Sequence, residues 1–230
     1  MRTTWIIRIA AGVALAFSGC SNDDSKTTAF GETVTGEATY YGADGSGACM
    51  FDAAPSDIHV AALNRVQWDD AKWCGACADV TGPNGTTRIR IVDQCPECRF
   101  GDLDFHPVAF DEIAERQLGR VDISWQLVAC DVSGNVSYKY KDGANEWWTA
   151  VQVRNHRLPI ESMAYTIDGS TWQPMVREPY NYFLAENGFG KGSVKVRITA
   201  VDGQTLEDEL PPVQAELEVR GTGQFRSVMH

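Results

Sequence analysis

Beyond residue 32 the chain is a succession of short apolar or alternating segments broken by Gly, Pro, Asn and Asp. Hydrophobic and polar positions alternate over 36–41 and 121–128, and 59–63 is apolar. The segments 77–80 and 87–92 flank the hairpin-like signal Gly82-Pro83-Asn84-Gly85, so each of these stretches is expected to be a strand. Only 107–116 carries a helical period, with Pro107 early and Phe110, Ile113 and Ala114 on one face. Many short strands with one helix predict a closed β-barrel, which also hides its sheet edges. After the polar joint Asp131-Val132-Ser133-Gly134-Asn135, strand-like stretches return at 136–140, 148–153, 163–167, 194–200 and 213–219. Asp142-Gly143, Asp168-Gly169 and Asp202-Gly203 supply turn signals, and this spacing predicts a β-sandwich. The expectation is an all-β chain with a barrel over 33–133 and a sandwich over 134–230.

The first 32 residues belong to neither. Arg2 and Arg8 flank a short start, 10–17 is apolar, and Ser18-Gly19-Cys20 precedes the polar Ser21-Asn22-Asp23-Asp24. This reads as an export signal over 1–20, too short and wrongly flanked to span a membrane. Its small-small-Cys ending resembles a bacterial lipoprotein cleavage site, with Cys20 as the lipid-bearing residue. Ordinary secretion is the alternative, because Phe17 stands where such sites usually carry Leu. Residues 21–32 are small and polar and read as a tether. The mature chain is therefore expected to be secreted or lipid-anchored at the outer surface.

Charge changes the picture by exclusion. The chain has 20 basic and 31 acidic residues, and the imbalance falls mostly on 33–135, with seven basic against sixteen acidic side chains. A surface of that sign excludes nucleic acid and anionic lipid as the expected partner, since phosphate binding needs the opposite field.

Apart from Cys20 the cysteines are Cys49, Cys74, Cys77, Cys95, Cys98 and Cys130, all before the joint. An even count downstream of an export signal reads as three disulfides. The two Cys-x2-Cys pairs, Cys74/Cys77 and Cys95/Cys98, also fit a four-thiolate zinc site. Export disfavours persistent thiols, and Cys49 with Cys130 would still need each other, so the compartment argument favours disulfides and no metal.

The stretch 91–104 holds the densest chemistry. The strand 87–92 delivers Asp93 at its end, a cysteine-bracketed turn follows, and Leu103-Asp104 opens the next segment. Two carboxylates at the edges of one turn can face a single polar ligand with different solvation, and so with different pKa values. Either aspartate alone would suit a strand-end cap. In the second half Trp147-Trp148 is the conspicuous pair. Adjacent strand residues face opposite sides, so both rings can be on the surface only at an edge or in a loop.

These residues carry a family resemblance. Gly36-Glu37-Ala38-Thr39-Tyr40-Tyr41, Gly45-Ser46-Gly47-Ala48-Cys49, Trp73-Cys74-Gly75-Ala76-Cys77, Val92-Asp93-Gln94-Cys95-Pro96-Glu97-Cys98, Gly101-Asp102-Leu103-Asp104 and Ala109-Phe110 resemble the first domain of expansins. Trp147-Trp148, 151–156, Tyr180-Asn181-Tyr182-Phe183 and 192–197 resemble a bacterial expansin's binding module. The resemblance implies a six-stranded double-psi β-barrel followed by an immunoglobulin-like, cellulose-binding β-sandwich. It assigns a polar groove to Thr39, Asp93 and Asp104. The family's groove aromatic falls on Cys95, which leaves Tyr40 or Tyr41 for that contact.

By the same resemblance Cys49 pairs with Cys74 and Cys77 with Cys130, leaving Cys95 for Cys98. Trp147, Trp148 and Tyr180 form a flat row assisted by Lys141, and flat rings suit the apolar faces of glucose. Trp172 and Tyr182 are assigned to packing.

The related endoglucanases use an acid at the Asp104 position and a base in the strand that here reads Ala38-Thr39-Tyr40-Tyr41, where no carboxylate stands. Inverting hydrolysis needs both groups. The expectation is a monomer that binds cellulose and related β-glucans and loosens plant-type walls without hydrolysis, cofactor or metal. Glu37, Asp44 and Asp52 are the substitutes for a base, and each also reads as a solvated loop charge. The enzyme alternative is a weak endoglucanase or a peptidoglycan lytic transglycosylase with Asp104 as acid. A purely adhesive module is a third class.

Overall fold

A computed structural model describes residues 28–227. Cys20, the export signal and most of the expected tether lie outside them. Strands β1 (Thr33–Tyr40), β2 (Val60–Asn64), β3 (Cys77–Gly82), β4 (Gly85–Cys95), β5 (Leu103–Phe105) and β6 (Val121–Val128) close into a barrel in the order β1-β5-β2-β4-β3-β6. The pairs β1–β5 and β2–β4 are parallel, and β2–β5, β3–β4, β3–β6 and β1–β6 are antiparallel. Alternation drives the closure. Ile123, Trp125 and Leu127 of β6 point inward to meet Val34, Ala38, Ile89, Ile91, Leu103 and Phe105 in one buried core.

The helix α1 (Pro107–Ile113) is capped by His106, whose ring accepts from the Val108 N–H at 3.1 Å, and Pro107 needs no N–H in the first turn. It buries Ala109, Phe110 and Ile113 on the barrel. The helix stops short of the expected residue 116, because Ala114 turns extended (φ −159°) and a 3-10 turn, Arg116–Leu118, follows.

Two glycines let the barrel close. Cβ atoms on Gly36 and Gly101 would lie 2.2 Å from the Gly101 carbonyl carbon and 2.0 Å from the Thr35 carbonyl oxygen respectively, so the two backbones touch. The Trp125 indole then donates to the Gly101 carbonyl at 2.7 Å from within the core.

The second half contains β7 (Ser137–Tyr140), β8 (Thr149–Arg154), β9 (Ile160–Thr166), β10 (Gln173–Pro174), β11 (Val176–Glu178), β12 (Tyr182–Ala185), β13 (Val194–Ala200), β14 (Thr205–Leu210) and β15 (Glu218–Arg220). They form two sheets, β10-β9-β13-β14 and β11-β12-β8-β7-β15. Tyr138, Tyr140, Val151, Val153, Met163, Tyr165, Phe183, Val196 and Ile198 fill the space between them, and no cysteine is needed. The expected strand at 213–219 reduces to Glu218–Arg220, because the segment after Pro211-Pro212 is irregular. Thr205–Leu210 pairs instead. Thr205, Glu207 and Glu209 are exposed as befits an edge strand, while Leu206, Asp208 and Leu210 share the inner face, where the Asp208 carboxylate accepts from the Tyr138 hydroxyl at 2.7 Å.

All three disulfides form, Cys49–Cys74, Cys77–Cys130 and Cys95–Cys98. Each Cys-x2-Cys pair is thus committed to sulfur partners, which removes the four-thiolate zinc reading.

The halves meet through specific contacts. Gln152 Nε2 donates to the carbonyls of Cys49 (2.9 Å) and Met50 (3.3 Å), and Asp52 bridges Lys139 (3.0 Å) and Arg154 (2.5 Å). His156 is buried against Gly75, and burial holds its pKa down to about 4, so it packs as a neutral ring.

Candidate functional site

The polar groove is built on the β1–β5 pair. Parallel register sets Thr39 opposite Asp104, and the Thr39 hydroxyl donates to the Asp104 carboxylate at 2.6 Å. Burial pushes the Asp104 carboxyl above the usual carboxylate value. The Thr39 hydrogen bond opposes that shift, the negative charges of Glu97 and Asp93 add to it, and Arg120 counters it. Thr39, Tyr40 and Asp104 share this groove with Glu37, Cys95, Glu97, Cys98, Arg99, Asp102 and Arg120. The Cys95–Cys98 bridge therefore forms part of the groove wall.

Asp93 does not stand at a strand end, since β4 runs on to Cys95. Register shows why it faces outward. Ala61 opposes Ile91 and Ala62 opposes Asp93, so Val92 is an extra, bulged residue. Ile91 and Val92 are both buried and Asp93 is turned out. Its carboxylate accepts from the N–H groups of Ala48 (2.7 Å) and Gln94 (2.8 Å) and from the Tyr41 hydroxyl (3.1 Å). Burial, reinforced by the Asp93 charge, raises the Tyr41 phenol above its ordinary range, so Tyr41 is a neutral donor to Asp93.

The two tyrosines considered for the groove thus separate. Tyr40 is 37% exposed and its ring packs on Phe110 at 5.0 Å, whereas Tyr41 is half-buried and committed to Asp93.

The substitute carboxylates are occupied. Glu37 reaches the groove but pairs with Arg120 at 2.7 Å. Asp44 accepts from Ser46 N–H and Oγ, and Asp52 is an interdomain ion-pair partner rather than a free loop charge. Glu97, which the sequence analysis left inside a motif, is an exposed carboxylate in the groove. Arg120 was likewise missed, because nothing local in the sequence ties it to Glu37.

On the sandwich, Trp147 and Trp148 occupy a turn before β8, so strand alternation does not apply to them. The Asn145 side chain accepts from both of their N–H groups, at 2.9 and 3.2 Å, and fixes the turn. Trp147 is 72% exposed and Trp148 is half-buried. Gly188 admits this loop, since a Cβ there would lie 2.2 Å from the Glu146 carbonyl oxygen.

Tyr180 precedes β12, half-exposed, with its ring 6.0 Å from that of Tyr182. Lys141 pairs with Asp142 and holds its ammonium 5.8 Å from the Tyr182 ring.

Tyr182 packs, as assigned, though not in the core between the two sheets. It is 4% exposed but stands apart from the core cluster that contains its neighbour Phe183, so it is covered on the outer face under Tyr180 and Lys141. Trp172 lies next to the opposite sheet, with the Arg197 guanidinium 4.0 Å over its ring, away from this cluster.

The molecule thus presents a groove with a pKa-shifted acid on a six-stranded barrel and exposed rings beside one sandwich sheet. No protein-family model matches the chain. It is 37% identical over 190 residues to Expansin-YoaJ of Bacillus subtilis (strain 168), a stretch covering 80% of this chain and 81% of that protein. Expansin-like protein 1 of Dictyostelium discoideum is 28% identical over 228 residues, covering 93% of this chain and 79% of the relative.

The crystal structure of the Clavibacter michiganensis expansin without ligand superposes with a TM-score of 0.79 at 28% identity, over 86% of this chain and all of the other. A single-substitution variant of that expansin in complex with cellohexaose gives 0.80 over the same shares. These are two-domain similarities that span barrel and sandwich alike. The chain belongs to the expansin family.

Proposed function

We propose that this protein binds cellulose-type β-glucan outside the cell and loosens plant-type wall polysaccharide without cleaving it. The observation that carries the reading is the state of the carboxylates around Asp104. A general acid alone does not hydrolyse a glycosidic bond by inversion; a second carboxylate must activate water from the opposite face, ~6.5–9.5 Å away. Here Asp93 accepts three hydrogen bonds, Glu37 is tied to Arg120, and Asp52 is tied to Lys139 and Arg154. Asp104, with a raised pKa, retains its proton longer than an ordinary carboxyl and donates it in a hydrogen bond to a glycan hydroxyl. That bond competes with chain-to-chain hydrogen bonds in the wall and lets chains slip, with no covalent change.

The sandwich supplies attachment. Trp147, Trp148 and Tyr180 offer ring faces to successive glucose units, and Lys141 borders them; the cellohexaose held by the Clavibacter variant supports a linear β-1,4-glucan as the ligand class. Thr39, Tyr40 and Asp104 form the groove half of the site, with Asp93 and Tyr41 shaping it from behind. The protein acts as a monomer of a barrel over 33–133 and a sandwich over 134–230. Three disulfides agree with work in an oxidising space. Anchoring through Cys20 is tested by metabolic labelling with a fatty acid and by Cys20→Ser, which should release the protein from membranes.

The enzyme alternative rests on Glu97, an exposed groove carboxylate for which neither ion pair nor hydrogen bond is seen among the described residues, whereas Glu37 is held by Arg120, Asp102 by the Glu37 and Arg99 N–H groups and Asp104 by Thr39. Soluble product from amorphous cellulose and from peptidoglycan is the test, with Asp104→Asn and Glu97→Gln as controls. No release above either variant is expected. Release lost in both would make the protein a hydrolase or lytic enzyme of the substrate that gave it.

A further inference from the structure

Tyr180 belongs to the sandwich, yet the residues on both sides of it are held by the barrel. The Pro179 carbonyl accepts from the Trp68 indole N–H at 3.1 Å, and the Asn181 side-chain amide donates to the Cys49 carbonyl at 3.1 Å. Asn181 adopts φ +64°, a left-handed conformation that asparagine tolerates and that turns the chain from Tyr180 into β12. Trp68 and Asn181 are 7% and 5% exposed; the Asn181 bond is buried and the Trp68 bond to the exposed Pro179 is partly buried.

The barrel end of this connection is rigid. The Cys49 carbonyl also accepts from Gln152 Nε2 at 2.9 Å, the Cys49 N–H donates to the Val92 carbonyl at 3.1 Å, and its sulfur is bonded to Cys74. One residue earlier, the Ala48 N–H donates at 2.7 Å to Asp93, which stands behind the groove. Gly47 sits flat against that same side chain, where a Cβ would lie 2.3 Å from the carboxyl carbon. The segment 47–50 therefore touches Asp93 behind the groove at one end and the residue beside Tyr180 at the other.

We propose that 47–50 is a strut through which the barrel sets the position of Tyr180, and that Trp68 and Asn181 are positioning residues for polysaccharide binding, although neither touches the glycan. The inference rests on the reading of Trp147, Trp148 and Tyr180 as the binding surface. Those rings come from two separate segments, one before β8 and one before β12, and a straight glucan chain meets all three only if they stand level. The Tyr180 turn closes the β11–β12 hairpin, where Glu178 pairs with Tyr182 and the Asn181 N–H donates to the Glu178 carbonyl at 3.1 Å, and the barrel adds the two side-chain bonds that hold the tip of this hairpin.

The test is a double-mutant cycle on the full chain, read as cellulose affinity by depletion and as cellohexaose affinity by tryptophan fluorescence. Trp68→Phe keeps a ring in the core without the indole donor. Asn181→Asp keeps a residue that tolerates positive φ but replaces the donor with an acceptor. The paired strut variant should unfold at a lower temperature yet remain folded under the binding conditions and bind roughly fivefold more weakly, and it should cost nothing further in affinity when Tyr180→Ala is already present, as expected of groups acting through one residue. Should the pair fail to fold, Asn181→Gly alone enters the same cycle.

Wild-type affinity in the strut variant, or a loss that adds in full to that of Tyr180→Ala, overturns the inference while the binding surface stands. Unchanged binding by Trp147→Ala with Trp148→Ala overturns the surface itself and the strut with it.

Discussion

Thr39 and Asp104 face each other across the parallel pair β1–β5, and the 2.6 Å hydrogen bond from hydroxyl to carboxylate lies in a groove where Asp104 is half-buried. The threonine favours the charged form and burial favours the neutral one, with burial the larger influence.

Wall loosening should therefore depend on pH in a stated direction. Asp104 is raised in the folded state, so the protonated form is fully present below the ordinary carboxylate range and is lost as pH rises through the folded value. Loosening should decline over that interval, and the proton preference contributes stability that fades over the same window. Thr39→Val removes the bond that favours ionisation and should move the titration, followed by carboxyl-carbon NMR, to still higher pH. Asp104→Asn should abolish loosening with cellulose binding retained; loosening that survives would misplace the groove.

Trp147→Ala combined with Trp148→Ala should abolish cellulose pull-down while the protein stays folded. Trp147 is 72% exposed, and truncating a surface side chain usually shifts stability by no more than ~0.5 kcal/mol. A tenfold loss of affinity corresponds to about 1.4 kcal/mol, and removal of two rings should exceed it. Circular dichroism and depletion from microcrystalline cellulose separate the two effects.

The disulfides should divide by loop length. Cys77 and Cys130 are 53 residues apart, Cys49 and Cys74 are 25 apart, and Cys95 and Cys98 only three. Chain-entropy arithmetic gives about 4, 3.5 and 2 kcal/mol respectively. Cys95→Ser with Cys98→Ser should leave a folded barrel with a modestly lower unfolding temperature and weaker loosening, because this bridge walls the groove. Cys77→Ser with Cys130→Ser should lower the unfolding temperature most.

Gly101→Ala should prevent the barrel from closing. Gly101 has φ +90°, and its added Cβ would fall 2.0 Å from the Thr35 carbonyl oxygen, backbone that a side-chain rotation cannot relieve. Insoluble or unfolded protein is the expected result; a native-like unfolding transition would contradict it.

Legibility in the sequence followed the range of the interactions. β6 and β13 alternate in full over eight and seven residues and match the segments read from hydrophobic pattern at 121–128 and 194–200. Thr205–Leu210 was invisible because an edge strand needs few apolar residues, and the bulge at Val92 was invisible because it exists only relative to β2. Asp93 and Asp104 could be named from one turn, and the Trp147-Trp148 pair from its adjacency. Trp68, Gln152, Asn181 and Arg120 could not. Their partners lie 111, 103, 132 and 83 positions away, a separation at which neither period nor motif carries information.

The most direct test of loosening without cleavage is creep of a stressed cellulose-rich wall strip under constant load, with reducing ends counted in the same strip and its bathing solution, for wild type and Asp104→Asn. Wild type should extend the strip with no more reducing ends than buffer, and Asp104→Asn should do neither. New reducing ends that accompany extension and vanish with Asp104→Asn would contradict the account and make the groove a hydrolytic site.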